Sequence, residues 1–216
     1  LIITAESEVE VLSHGQLSME AGAPWDQVRS RMLASKEPAA FDARAFTLSS
    51  PMIPVLSALA EFARPDFPAG RCVIEAVSAF NSRIFRDFKF DPDFSTIATP
   101  VEEVLANRRG VCQDFAQLMI ASLRSLGLPA RYVSGYLETL PPPGKAKMVG
   151  ADASHAWVSV FVPGQGWIDF DPTNSIVGNR NVIRVAVAWN HENALPLWGT
   201  FIGPKSSFLG MDVAVR

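Results

Sequence analysis

The sequence is poor in the residues that build metal and disulfide sites. It has two cysteines, Cys72 and Cys112, and three histidines in 216 residues. No CxxC pair occurs, which argues against zinc, and so long a chain with so few cysteines is not a disulfide scaffold. That scarcity fits a reducing compartment, so a cytoplasmic location is expected. There is no acidic loop of the calcium-binding type, so neither a metal nor a cofactor is expected. A net charge of −3 leaves no basic face for nucleic acid. No apolar run approaches the roughly 18 residues of a membrane span, and no signal-peptide pattern is visible. Nucleic acid and membrane are therefore not expected as partners.

What is present suffices for a real core. Apolar residues make up 48% and charged residues 19%, which excludes global disorder. The centre of the chain is Arg109-Gly110-Val111-Cys112-Gln113-Asp114-Phe115-Ala116. A glycine breaks the chain. Val111, Phe115, Leu118, Met119, Leu123 and Leu126 then recur at helical spacing, and Gly127 with Pro129 gives a stop. Cys112 is thus expected in the first turn of a buried helix. The free backbone N–H groups and the dipole there favour a thiolate. Thiols in such places titrate at roughly 3.5–7.5 instead of about 8.5. The plainer reading is a small buried residue, and this stretch alone leaves the two readings even.

Around that centre the chain reads as helices first, then strands. Residues 1–12 alternate as a half-exposed strand, expected to close a β-rich region lying upstream. His14 follows in a turn as a surface histidine. Residues 13–50 read as a connection wrapping the domain, with a helical turn at 24–33. The expected division is therefore 1–48 as strand and connection, and 49–216 as the main core. Ser49-Ser50-Pro51 is expected to open a helix ending near Ala63. Val73, Val77, Phe80, Ile84 and Phe88 mark a second over 71–88, with Cys72 as a packed thiol beside the stripe. Thr99-Pro100-Val101-Glu102 resembles a capping box opening a short helix to Asn107. Arg108 and Arg109 are read as a solvated helix end rather than support for a thiolate.

Ala130–Glu138 reads as a strand, and 139–152 as a loop long enough to serve as a lid or substrate wall. In 153–162, His155, Trp157, Ser159 and Phe161 share one face. Pro163-Gly164-Gln165-Gly166 turns the chain, and 167–171 returns to Asp171. Two more strands are expected at 181–189 and 206–215. The order is α+β rather than alternating.

A cysteine at a helix start, a histidine on one strand and an aspartate on the next are the parts of a Cys112–His155–Asp171 triad. The parts impose a condition. For His155 and Asp171 to share a face, paired residue numbers must have an even sum. A plain four-residue loop pairs Val162 with Trp167, an odd sum, and Asp171 then faces away. The turn must be effectively three or five residues long, or bulged. Singly, His155 reads as a core or edge histidine and Asp171 as a turn cap. Jointly, the arrangement favours catalysis.

Four blocks carry a family resemblance: Gly110–Ala116, Leu126–Arg131, Ser154–Trp157, and Gly166-Trp167 with Asp169-Phe170-Asp171-Pro172-Thr173-Asn174. In this order they resemble the bacterial branch of the transglutaminase-like cysteine-enzyme superfamily, over residues 99–175. The resemblance implies a papain-like α+β core, the cysteine helix packed on an antiparallel sheet. It implies Cys112 as nucleophile, His155 as its base and Asp171 as the orienting acid. Relatives include crosslinking acyltransferases, peptidases, amidases and deamidases, and some that lost the triad, which this chain retains. Bacterial relatives often carry a Gly-Arg-Asp-Tyr-like stretch after the Asp-Pro-Thr strand. Here Ala188–Asn193 stands there, with His191 read as an exposed loop residue.

The expected chemistry is thiol-dependent acyl transfer or hydrolysis on a peptide or protein substrate, at a peptide-type or glutamine amide. Hydrolysis is favoured over crosslinking, since water is always available and nothing marks an amine tunnel. The oxyanion hole would use the Cys112 N–H. Gln113, or an upstream aromatic or amide side chain, is a candidate second donor. Trp157 and Trp167 are candidate walls of the acyl cleft and equally candidates for the core. A non-catalytic peptide-binding module retaining the triad is the alternative.

Overall fold

The computed structural model of the chain describes residues 2–11, 22–137, 153–178, 182–195, 199–200, 202–203 and 213–215. Its first half is helical. α1 (Trp25–Ala34), α2 (Pro38–Arg44) and a 3-10 turn (Ala45–Thr47) precede α3 (Ser57–Ala63), a second 3-10 turn (Arg64–Asp66) and α4 (Val73–Asp87). α4 buries Val73, Val77, Phe80 and Ile84 completely, as their spacing predicts. Strands β1 (Lys89–Phe90) and β2 (Arg109–Gly110), with α5 (Val101–Asn107) between them, pair in parallel. They deliver the chain to α6 (Cys112–Ser125), which is buried from Asp114 to Arg124. α6 stops at Gly127, whose φ of 79° lies where a side chain is strained.

The second half is one antiparallel sheet. β3 (Ala130–Leu137), β4 (Ala153–Val162), β5 (Gly166–Asp171), β6 (Ile176–Val177) and β7 (Val182–Ala188) lie in the order β6-β5-β4-β3-β7. The observed architecture is thus the expected α+β one. α4 and α6 share one core with Tyr132, Ala156, Val158, Val160, Ile168 and Phe170 of the sheet. The alternate residues of β4 and β5 form the other face. At its turn end, Met32, Ala40 and Ala43 of α1 and α2 cover Phe161, with Trp167 packed alongside.

Three expectations need correction. Residues 2–11 are exposed and form no strand, because alternation becomes a ladder only beside a partner, and among the described residues none pairs with them. The helix expected from Pro51 begins at Ser57. Ser50 and Ile53 instead exchange backbone hydrogen bonds of 3.0 Å in a tight bridge, and Pro54 has no N–H to continue a helix. The capping box at Thr99 is absent: Pro100 holds the cap position of α5, and Thr99 Oγ1 accepts from the Thr96 N–H at 2.9 Å. His14, the 139–152 loop and most of the 206–215 strand lie outside the described residues.

Arg124, near the end of α6, ties the halves together. It is 1% exposed. Its Nε donates to the Ala130 carbonyl at 3.0 Å, one Nη to Leu48 at 3.0 Å and the other to Trp189 at 2.9 Å. Burial pulls this guanidinium down to about 10, still a cation at neutral pH. Arg124→Met should fill the same space and leave those carbonyls without their donors. Each buried acceptor so orphaned costs about 1–3 kcal/mol. Only the Ala130 contact is fully buried, so the expected result is a urea midpoint lowered by the equivalent of about 1–3 kcal/mol, measured by circular dichroism.

Candidate active site

The geometry begins with a turn. Val162 pairs with Gly166, so the loop of the β4–β5 hairpin is three residues long, 163–165. Gln165 N–H bonds to the Val162 carbonyl at 3.0 Å. Gly164 at φ 83° and Gly166 at φ 79° take up the left-handed backbone that this connection needs. Val158 pairs with Phe170, an even sum. Continued one step, that register sets Asp171 opposite Trp157, on the face of His155. Across it His155 Nε2 meets Asp171 Oδ2 at 2.7 Å.

The Asp171 carboxylate is held on all sides. Oδ1 accepts the Thr173 and Asn174 backbone N–H groups at 2.9 and 3.3 Å. Asn174 Nδ2 donates to Oδ2 at 2.7 Å and lies 3.4 Å from His155 Nε2. The Asp-Pro-Thr-Asn turn is therefore both a turn cap and part of the site. α4 supports it from behind, with Ser82 Oγ 3.0 Å from Ser175 Oγ.

Cys112 is the first residue of α6 and is half-buried. Its sulfur lies within hydrogen-bonding reach of the His155 ring. Asp171 occupies Nε2, which leaves Nδ1 for the cysteine. Burial works against a charged His155, but its hydrogen bonds and charge interactions with Asp171 and Cys112 outweigh this. They raise the ring from 6.5 to about 9.

Asp114, two residues on, folds back to accept the Val111 N–H at 2.7 Å and the Ser95 hydroxyl. Gly110 allows this, since a Cβ there would lie 2.7 Å from Asp114 Oδ2. Burial pushes Asp114 up, while Ser95, Val111 and the His191 charge pull it down. The acid at the third helical position was the available sequence signal. Gln113 donates to the Ile97 carbonyl at 3.3 Å, so its amide ties the neighbouring loop to α6.

The two tryptophans separate. Trp157 is 2% exposed and lies against the His155 ring, centroids 6.0 Å apart and planes 26° apart. It supports the histidine from within and does not form an open wall. Trp167 sits at the turn end of the hairpin, with Arg131 4.0 Å above its ring and Phe46 and Phe161 against its edges. Asp171 is four residues along β5 from it, so the structure does not bring Trp167 to the cysteine. Arg108 lies over Phe62 and Phe88, and Arg109 pairs with Asp91. His191 is not exposed: it is half-buried, with Nδ1 3.3 Å from the Tyr132 hydroxyl, and burial lowers its pKa. Among the described residues, no group of three or more His, Cys, Asp or Glu could hold a metal ion.

Comparison with known proteins bears on this geometry. Residues 67–172 match the family described as the transglutaminase-like superfamily. An uncharacterized protein of Mycobacterium tuberculosis strain H37Rv is 39% identical over the whole chain, which spans 69% of that protein. The protein-glutamine gamma-glutamyltransferase of Pseudomonas aeruginosa is 34% identical over 47% of this chain and 16% of its own length. The crystal structure of a candidate cysteine protease from Cytophaga hutchinsonii superposes on 71% of this chain with a TM-score of 0.59 and 28% identity. This chain spans about half of that one, 49%. The matched region contains α6 and the hairpin with their surrounding α+β core, and the chain belongs to the bacterial transglutaminase-like superfamily.

Proposed function

We propose that the chain is a thiol acyl-enzyme acting through Cys112, His155 and Asp171. The observation that carries this reading is one imidazole with Asp171 on Nε2 at 2.7 Å and Cys112 within reach. Family membership supports it, and so does the glutamyl-transfer activity in the name of the Pseudomonas relative.

The Cys112 thiolate attacks the carbonyl carbon of a peptide-type or glutamine amide. The C–N electron pair leaves with the nitrogen, and His155 gives that nitrogen its proton. Ammonia or an amine departs, and a thioester remains. Water then attacks, with His155 taking its proton, and the acid is released with the thiol restored. An amine in place of water would give a new amide. The Cys112 backbone N–H at the start of α6 would hold the developing oxyanion. Hydrolysis is the proposed main outcome, with a peptide or protein as substrate.

Cys112→Ala should abolish ammonia release from glutamine-containing peptides and leave the circular dichroism spectrum unchanged. Product formation at the wild-type rate would sink the proposal. Screening with and without an added amine separates hydrolase from transferase.

A second expectation concerns pH. A histidine raised from 6.5 to about 9 keeps its proton in the folded state after losing it in the unfolded one. Its stabilisation is complete below about 6.5 and is lost as the pH rises through about 9. If the proposed triad holds, iodoacetamide should alkylate Cys112 at a substantial rate below pH 7, and His155→Ala should remove that low-pH rate. A rate rising only through about pH 8.5 in both proteins would mean an ordinary thiol.

A further inference from the structure

The outer face of the sheet holds a second polar group beside the triad. Trp157 Nε1 donates to Asp169 Oδ2 at 2.7 Å. Arg184 on β7 donates to the same oxygen at 2.7 Å, spanning β3 and β4 to reach it. Asp169 is 4% exposed and Trp157 2%, while the Arg184 side chain keeps 31% of its surface in solvent. Two local features make the arrangement possible. The β3–β7 register shifts between Ser134 and Gly135, which sets Arg184 opposite Gly135. Gly135 then leaves room, since a Cβ there would lie 2.8 Å from Trp157 Cη2 and run into the Ile183 carbonyl.

We propose that Asp169, held by Arg184, is a positioning residue that fixes the Trp157 indole and through it the plane of the His155 ring. This rests on the triad reading. The hydrogen bond to Asp171, with Asn174 beside the same nitrogen, fixes one point of the imidazole. It leaves the ring free to tilt about the line from its Cβ to Nε2, and tilting moves Nδ1 relative to the sulfur. A flat neighbour removes that freedom. The indole can act as one only if its own plane is set, and its N–H bond to Asp169 sets it. Asp169 lies two residues before Asp171, on the same strand and face. One strand thus supplies both the hydrogen-bond partner of the histidine and the anchor of its backing ring.

The test is Cys112 alkylation by iodoacetamide from pH 5 to 9, followed by peptide mass mapping. It compares wild type, Asp169→Ala, Asp169→Asn and Trp157→Phe. Asp169→Ala should lower the rate at pH 6 by about 10-fold or more, the scale of a misplaced reacting group. Asp169→Asn retains an oxygen that accepts the indole N–H and should stay within about 3-fold of wild type, given that dependence on placement. An Asp169→Ala profile indistinguishable from wild type overturns the proposal. So does an Asn variant as impaired as the Ala variant, since that would make the effect one of charge and not of placement. If Asp169→Ala fails to fold, Trp157→Phe carries the test. It removes the donor and keeps a flat ring, so it must show the same loss, and an unchanged rate overturns the proposal. A wild-type protein with no low-pH rate overturns the triad reading itself, whatever the variants do.

Discussion

The three carbonyls gathered by Arg124 decide whether the two halves of this protein form one site. Leu48 follows the first helices, Ala130 opens β3 and Trp189 follows β7. They belong to segments far apart in sequence, and the guanidinium is the donor they share. Its partners are backbone carbonyls, so the contact is directional as well as electrostatic. A hydrophobic residue could fill the volume but could not satisfy the carbonyls. The same helix carries Cys112 at its other end. Whatever sets the end of α6 against β3 and β7 also sets its start against β4, because a helix this buried does not bend freely.

Within that frame the site depends on a count of loop residues. With 163–165 as the loop, Val158 faces Phe170 and the His155 and Asp171 side chains share a face. One residue more, with no bulge, would send Asp171 to the helical side of the sheet. The left-handed Gly164 and Gly166 are thus a condition for the His155–Asp171 bond, although Asp171 lies five residues beyond Gly166 and His155 nine before Gly164.

The parts of this that were legible in the sequence are those set by local periodicity. α4, α6 and the hairpin are strongly periodic or cleanly alternating, and glycine flanks α6 and marks the hairpin turn, so their existence followed from short-range pattern alone. The parity condition was legible too, although the pattern could only state it and the turn had to meet it. Long-range partnership was not legible. Nothing near Arg124 shows that its donors reach Leu48, 76 positions away. Alternation in 2–11 looked like a strand because pattern does not reveal whether a partner exists. Trp157 and Trp167 look alike on one face of a hairpin; neighbours from other elements make one the backing of His155 and the other part of a small cluster under α1 and α2. His191 reads as a loop residue until Tyr132 is seen beside it.

The source of thiolate stabilisation also changes between sequence and structure. A helix start suggests the dipole, worth about 0.3–1 kcal/mol at its usual strength. In the structure, part of that field is already answered by Asp114, whose carboxylate accepts the Val111 N–H in the same turn. Asp114 is 2% exposed and stands in the same helical turn as Cys112, so its carboxylate, where ionised, opposes a second negative charge there. In the proposed mechanism the His155 imidazolium is the compensating charge. Two unit charges in contact at about 4 Å attract by about 4 kcal/mol at an effective dielectric near 20, several times the dipole contribution. On the proposed mechanism the cysteine would depend on its histidine for more than proton transfer, and the residues that hold the imidazole in place would bear on the reactivity of the sulfur.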